Sequence, residues 1–316
     1  MKSDVAVIIV TYNSEKEIGA CLESVFAECA SVSQEVVVVD NDSKDGTVAL
    51  LRERFPQVKL VLPGKNLGFA GGVNLGVENS NAEYVLLLNP DTVIVRNAID
   101  KVVAFARDRP QHGLYGGRTL TPEGDLEPSC CWGTPTLWSM FLFAFGLTTL
   151  APRNRFLDPE SMGSWQRDTV REVGVVTGCF LLAQREVWDE LNGLDTRYFM
   201  YGEDADLSMR ARLKGYSPVI CPEAELIHEV GMSSETPVHK TLLLYRGKAS
   251  LVRTHWKGLA QRAGLFFLAT GAGLRAFLTG IRGSSTKGST ADRWKTVWEK
   301  RREWLCGYEA VGGSTT

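Results

Sequence analysis

The chain has 316 residues, 44% of them apolar and 23% charged, which is enough to bury a substantial core and excludes bulk disorder. Its formal charge of −2 hides an asymmetry: residues 240–316 carry 14 Lys+Arg against 4 Asp+Glu (+10), and residues 1–239 carry 21 against 33 (−12). Seven cysteines, Cys21, Cys29, Cys130, Cys131, Cys179, Cys221 and Cys306, show no CxxC pairing or other metal spacing and read as reduced, mostly buried thiols of a cytosolic protein.

The opening MKSDVAVIIVTYNS reads as a strand running into polar residues, too short and wrongly flanked for a signal peptide. Residues 5–10 and 35–39 are short β-branched runs, each ending at a polar turn, as strands buried on both faces of a parallel sheet do. Between them, residues 14–26 place Ile18, Leu22, Val25 and Phe26 at helical spacing, which gives a β-α-β unit. The alternation predicts a helix over 45–54, a strand over 59–62, a Gly-rich helix over 69–78 and a strand over 84–88. In open α/β sheets ligands gather beyond the carboxyl ends of the strands, and TYNS, DNDS and NPD occupy such ends. From Gly113 the pattern lapses into an expected hairpin, LYGGRTLTPEGDLEP, and a further strand over 173–183.

Two apolar stretches stand apart. Residues 135–151 are uncharged but short for a membrane span, which needs about 20 residues; an interfacial segment or a buried helix fits better. Residues 259–281 are interrupted by Arg262 and Arg275 and read as a helix lying on a membrane, with a helical hairpin closing the core as the alternative. GSSTKGST from Gly283 reads as a linker and VGGSTT as a frayed end.

Several of these tips carry chemistry. Thr11, Tyr12 and Asn13, together with Asp40 from the neighbouring strand, form a pocket in which an aromatic ring covers a flat base and Asp40 accepts an imide N–H; turn formation alone also explains DNDSKDGT. KNLGFAGGVNLG lacks the spacing of a phosphate or dinucleotide loop, so its glycines read as allowing close helix packing and backbone approach to a nucleotide. Asp91 follows the stiff Asn89-Pro90 turn, and a carboxylate beside a phosphate site is how Mg²⁺ is held; His228 offers a nitrogen, which Mn²⁺ accepts more readily. A structural role for His228 fits equally. In YFMYGEDADLSMRARLKGY, Glu203, Asp204 and Asp206 stand where a helix begins, and free N–H groups there keep acids ionised, as a general base requires. Solvated acids capping a helix fit the same pattern.

Taken in order, VIIVTYNS, VVVVDNDSKDGT, NLGFAGGVNLG, LLLNPDTVI, TGCFLLAQREVWDELNGLDTRYFMYGEDADLSMRARLKGY and HEVGMS resemble the glycosyltransferase family 2 pattern over residues 5 to about 235, most of all its bacterial rhamnosyltransferase branch. The resemblance implies a GT-A fold, a Rossmann-like, mostly parallel α/β sheet flanked by helices. Residues 1–238 would form the transferase domain (1–112 the nucleotide half, 113–238 the acceptor half) and 239–316 a basic amphipathic helical extension. It implies that Thr11, Tyr12, Asn13 and Asp40 hold the nucleoside, with Asn66 and Asn89 nearby. Asp91, helped by His228, would hold Mg²⁺ or Mn²⁺ on the diphosphate. Asp204 would be the base of an inverting displacement, Glu203 and Asp206 would orient acceptor or base, and Thr177 and Gly178 would line the acceptor side. Asn89 departs from the family's DxD.

The branch implies dTDP-L-rhamnose as donor, with a UDP-sugar as the alternative, and a saccharide or polyprenyl-diphosphate-linked acceptor in cell-surface polysaccharide synthesis. A lipid-linked acceptor would account for the apolar stretches and the +10 tail as devices for the cytoplasmic membrane face, the enzyme being cytoplasmic and peripheral. Two other classes compete. A sugar-nucleotide pyrophosphorylase would need a basic Gly-rich first turn, which TYNSEKEIGA lacks, and a non-catalytic sugar-nucleotide binder would not need Asp91, Asp204 and His228 together. The Leu-, Phe-, Ala- and Gly-rich tail argues against a nucleic-acid partner. The oligomeric state is not encoded legibly.

Overall fold

The computed structural model describes residues 2–228, 236–282 and 289–308. In chain order the elements are β1 (Ser3–Thr11), α1 (Ile18–Ala27), β2 (Gln34–Asp40), α2 (Thr47–Arg54), β3 (Lys59–Val61), α3 (Gly68–Glu78), β4 (Ala82–Leu88), β5 (Thr92–Ile94), α4 (Ala98–Asp108), β6 (Leu114–Leu120), β7 (Cys131–Trp132), α5 (Leu137–Ala144), α6 (Leu147–Leu150), β8 (Arg171–Glu172), β9 (Val175–Val176), β10 (Phe180–Gln184), α7 (Arg185–Glu190), α8 (Glu203–Leu213), β11 (Val219–His228), α9 (Pro237–His255), α10 (Gly258–Arg282), α11 (Thr290–Glu299) and α12 (Arg301–Leu305). The described residues within 1–132, 165–195 and 204–233 form one compact unit, and those within 133–164, 196–203 and 234–316 form another.

The first unit is built on a sheet of nine strands among the described residues, ordered β3-β2-β1-β4-β10-β6-β11-β5 with β8 added to β11. β3, β2, β1 and β4 are parallel, as are β6 and β11, while β10 and β5 enter antiparallel. This is the mostly parallel α/β sheet expected from the sequence. Val5, Ala6, Val7, Ile8 and Ile9 are at most 1% exposed, so β1 is covered on both faces and no alternation of polar residues is needed. The chain winds from β1 outward through β2 and β3 and then returns to place β4 on the other side of β1. That reversal opens a crevice at the carboxyl ends, where Thr11 pairs in register with Asp40 and Ile9 with Leu88.

Helix α3 lies close against this sheet because its glycines leave room. A Cβ on Gly76 would stand 2.5 Å from Ile8 Cγ2, and one on Gly72 would stand 2.9 Å from Val10 Cγ1. Two sequence expectations change. The return arm of the hairpin after β6 is a single antiparallel bridge, Leu120 to Leu126. The strand expected over 173–183 is two: β9 pairs with β7 in a small second sheet and β10 joins the main sheet, the chain changing partners through Thr177, Gly178 and Cys179.

The second unit is helical. Its core joins Met140 of α5, Tyr245, Ala249 and Val252 of α9, Leu268 and Ala272 of α10, Val297 of α11 and Trp304 of α12. The apolar stretch 135–151 is broken at Gly146 (φ +71°) into α5 and α6, and α5 is capped by Thr136 and Ser139. Arg275 interrupts the apolar run of α10 without facing water alone: it donates to the Phe143 carbonyl at 2.7 Å, and its guanidinium lies 4.3 Å from the Phe143 ring centroid. The linker expected from Gly283 lies outside the described residues up to 288, as do the VGGSTT end and the residues EVGMSS that follow His228. All seven cysteines are free thiols, with Cys306 exposed.

Candidate active site

The carboxyl ends of β1 and β2 are laced together by short polar side chains. The buried Thr11 hydroxyl donates to Asp40 Oδ1 at 3.0 Å, and Ser43 donates to the same carboxylate from its Oγ (2.5 Å) and its N–H (2.9 Å). Asn13 adopts φ +54°, which Asn tolerates; its N–H donates to Ser43 Oγ at 2.8 Å and its Oδ1 accepts the Lys44 N–H at 2.7 Å. Asp40 is therefore buried and engaged at both oxygens, and it ties the tips of β1 and β2 together. Tyr12 is 48% exposed at the same edge. Asn66 is exposed and accepts the Gly68 N–H at 2.8 Å, while buried Asn41 donates to the Gly68 carbonyl at 3.0 Å and accepts from Leu67 N–H. Ser43 and Asn41 were not singled out in the sequence, although a Ser three residues after an Asp at a strand end is a recognisable turn signal.

At the end of β4 the Asn89-Pro90-Asp91 turn is tied to the TGC turn: Asn89 N–H donates to the Cys179 carbonyl at 3.1 Å. One residue earlier, Gly178 N–H donates to Asp204 Oδ2 at 3.3 Å, and Asp204 Oδ1 accepts the Ala205 N–H at 2.7 Å. A Cβ on Gly178 would stand 3.0 Å from the Phe69 ring, so a side chain here would push that ring aside by a few tenths of an ångström. Burial raises the Asp204 pKa above the ordinary carboxylate value, against the lowering effect of those N–H donors.

A second chain of contacts returns from the TGC turn to Asp91. Thr177 Oγ1 donates to the Ser129 carbonyl at 2.9 Å, and Ser129 donates to Glu127 through its N–H (3.2 Å) and its hydroxyl. Glu127 Oε2 lies 3.7 Å from His228 Nδ1, and His228 Nε2 lies 3.4 Å from Asp91 Oδ1. Burial works against a charge on this imidazole, but the two flanking carboxylates outweigh it and push its pKa up to about 9. Glu127 shows the converse: burial would raise it, and His228 with Ser129 holds it below the usual range. Glu127 was missed by sequence reasoning, because nothing in LTPEGDLEP marks it as meeting a residue of β11.

The other two acids of the EDxD run are placed differently. Glu203 is buried at the start of α8. Asp206 is fully buried and accepts from Arg210 Nε at 2.7 Å, and Arg210 also holds the carbonyls of Leu191 and Gly193 at 2.5 and 2.9 Å. Through Arg210, Asp206 is tied to the loop after α7.

Among the described residues no three of His, Cys, Asp and Glu are gathered as a ready metal cage. The donor set nevertheless fits a hard divalent cation of the kind that takes one or two carboxylates and completes its shell with substrate phosphates. Asp91 Oδ1 is buried without a hydrogen-bond partner, and two carboxylates converge on a single imidazole. The carboxyl ends of the strands thus bring together an exposed aromatic ring at Tyr12, a carboxylate-rich end at Asp91 and Glu127, and a partly buried acid, Asp204, that accepts two N–H groups.

Comparison with known proteins agrees. The family model "Glycosyl transferase family 2" matches residues 6–155. The N-acetylglucosaminyl-diphospho-decaprenol L-rhamnosyltransferase of Mycobacterium tuberculosis is 31% identical over 265 residues, covering 79% of this chain and 81% of that protein. The low-salt glycan biosynthesis hexosyltransferase of Haloferax volcanii is 26% identical, covering 72% and 68%. Among solved structures, a mannosyltransferase from Pyrobaculum calidifontis in complex with GDP-Man and Mn²⁺ shares the fold with a TM-score of 0.56 at 19% identity, over 97% of this chain and 84% of that one. The chain belongs to glycosyltransferase family 2. It is an enzyme of the GT-A type, with its named relatives among hexosyl- and rhamnosyltransferases.

Proposed function

We propose that this enzyme transfers L-rhamnose from dTDP-L-rhamnose, with inversion, onto a hydroxyl of a saccharide carried on a polyprenyl diphosphate at the cytoplasmic membrane face. The observation that carries the chemistry is the pair of contacts through the TGC turn, which ties Asp204 to the NPD turn through adjacent residues. The rhamnosyl donor and lipid-linked acceptor are supported by the mycobacterial relative's name alone.

Tyr12 covers the pyrimidine, and Asn13, Asp40 and Asn66 shape the walls around the nucleoside. The acceptor enters over Thr177 and Gly178. Asp204, whose carboxylate oxygens accept two N–H groups, takes the acceptor's hydroxyl proton as that oxygen bonds to the anomeric carbon; the bond from that carbon to the diphosphate breaks with its electron pair going to the leaving oxygen. An alcohol is a poor nucleophile until its proton is being removed, so the base is the indispensable group. Asp91 and His228 would hold a Mg²⁺ or Mn²⁺ ion, which supplies charge neutralisation for the departing diphosphate.

The test is to incubate purified enzyme with a panel of sugar nucleotides and an N-acetylglucosaminyl-diphosphoprenol of short chain, with and without each cation, and to follow released nucleoside diphosphate. Acceptor-dependent release from dTDP-L-rhamnose is expected. Turnover of UDP-sugars only would reassign the donor, and binding of nucleotide without transfer from any donor would sink the catalytic reading.

A further inference from the structure

The second unit carries an aromatic face that its own core does not use. On α5, Trp138 stacks on Phe141 (centroids 5.5 Å apart) and Phe141 meets Phe145 at 4.9 Å. Phe141 then meets Phe267 of α10 edge-on at 5.6 Å, and Phe267 lies 6.0 Å from Phe266. Trp138 Nε1 donates to the Phe156 carbonyl at 2.9 Å, which brings the loop after α6 into the same cluster. Of these rings Trp138 is 53%, Phe145 43%, Phe156 65% and Phe266 62% exposed. An apolar surface this continuous is an interaction site rather than ordinary scatter.

The face continues along α10. At 100° per residue, Leu259, Phe266, Phe277 and Ile281 share one stripe, and all are exposed, whereas Leu268 on the opposite side is buried in the core. This helix is long and apolar enough to cross a membrane, yet its buried side packs on α5, α9 and α11 and leaves the stripe uncovered, with 22% of its most apolar window buried. A Cβ on Gly271 would stand 2.9 Å from Ala144 Cα, so α5 and α10 are closely apposed. The helix is therefore fixed along one side and can present only the other.

Charge selects the partner. The two segments that carry these rings, residues 137–156 and 258–281, hold four basic residues, Arg153, Arg155, Arg262 and Arg275, and not one Asp or Glu. Arg153 and Arg155 are exposed beside Phe156, with the Arg155 guanidinium 4.9 Å from that ring, and exposed Arg262 stands one turn from Phe266 on the same stripe. Exposed Trp and Phe rimmed by cations match the boundary between anionic headgroups and acyl chains, where the rings enter and the cations meet the headgroup charge. We propose that this face, Trp138, Phe145, Phe156, Phe266 and the stripe of α10, docks the enzyme in the plane of an anionic lipid bilayer without crossing it. Its use in catalysis rests on the lipid-linked-acceptor reading above; the surface itself does not.

The experiment is co-sedimentation of the full chain with vesicles of phosphatidylglycerol and phosphatidylcholine against vesicles of phosphatidylcholine alone, at low and high salt. Binding is expected to favour the anionic vesicles by about tenfold or more and to weaken with salt. Phe156→Glu with Phe266→Glu, both at exposed rings, should lower the bound fraction about tenfold, and Arg155→Glu with Arg262→Glu should do so on anionic vesicles only. Leu213→Glu, at an 80%-exposed position of the first unit, should bind as the parent does. Equal binding to neutral vesicles, unchanged binding by both double variants, or resistance to alkaline carbonate extraction would overturn the proposal. So would a change of oligomeric state in the phenylalanine variant with vesicle binding intact. A short-chain, water-soluble acceptor separates the two readings: vesicle binding with no transfer to any acceptor sinks the enzymatic reading and leaves the surface standing, and transfer to that acceptor without vesicle binding does the reverse.

Discussion

Gly178 donates its N–H to Asp204 at 3.3 Å, and the next residue's carbonyl accepts the N–H of Asn89 at 3.1 Å. A single turn between two strands thus sets the distance between the acid of α8 and the NPD turn of β4. Neither carboxylate is placed by its own element alone. The turn exists because the chain leaves the β7-β9 pair and joins the main sheet as β10, and Gly178 packs there closely against the Phe69 ring.

Asp204→Asn should keep the fold and nucleotide binding but lower kcat by roughly 10²- to 10⁴-fold, the range for a positioned base. Burial raises the pKa of this acid, so the parent enzyme's kcat/KM should rise with pH through an inflection above the ordinary Asp value of about 3.9. The base is competent only when deprotonated, which puts the lost activity on the acid side. A pH–rate profile lacking that limb, or an Asn variant with full turnover, would remove Asp204 from the role.

Glu127 faces the imidazole nitrogen that Asp91 does not, an arrangement that elsewhere orients a metal-ligating His. Glu127→Gln should weaken Mn²⁺ binding by about 10- to 100-fold in the presence of nucleoside diphosphate, measured by calorimetry, with thermal stability changed little. Unaltered Mn²⁺ affinity would reduce Glu127 to a cap for Ser129.

The strands and their polar tips were legible because each is an apolar run ended by a turn. A buried parallel strand needs no other signal. Thr11, Asp40, Asn89 and Asp91 could therefore be placed at one edge before any coordinates. Glu127 could not, since its meeting with His228 depends on β6 lying beside β11, a pairing between segments far apart in sequence. Asp204 and Asp206 looked equivalent in the run EDAD, yet positions two apart on a helix do not face the same way. The uncharged 135–151 stretch was ambiguous for a different reason: apolar composition does not distinguish a face turned to a helix from one turned to lipid, and α5 presents both.

Asp206→Asn should therefore act on stability before it acts on the acceptor. The Asp206 side chain is fully buried against a partly exposed Arg210, and removing one partner of a buried ion pair costs about 3–5 kcal/mol. A clear fall in melting temperature with KM for acceptor little changed in the folded fraction is expected. A stable variant with a greatly raised KM would instead return Asp206 to the acceptor site.

Acid sensitivity should come in part from Asp100, which ties α4 to the loop after α1. Its carboxylate accepts the N–H groups of Ala30 (2.9 Å), Ser31 (3.2 Å) and Val32 (3.0 Å), and although burial works in the opposite direction these donors hold its pKa below the ordinary value. A folded-state pKa below the unfolded one means that the stabilisation is present above about pH 4 and is lost as pH falls from there toward the folded value. Asp100→Asn keeps one carbonyl acceptor but loses the charge, so at neutral pH it should destabilise the protein by about 1.5–3 kcal/mol, the range for hydrogen bonds to a charged group. Denaturant melts at pH 7 and pH 3 give the decisive comparison: the gap between parent and variant should narrow at the lower pH, and a gap that stays constant would assign the stabilisation to shape rather than to the ionised carboxylate.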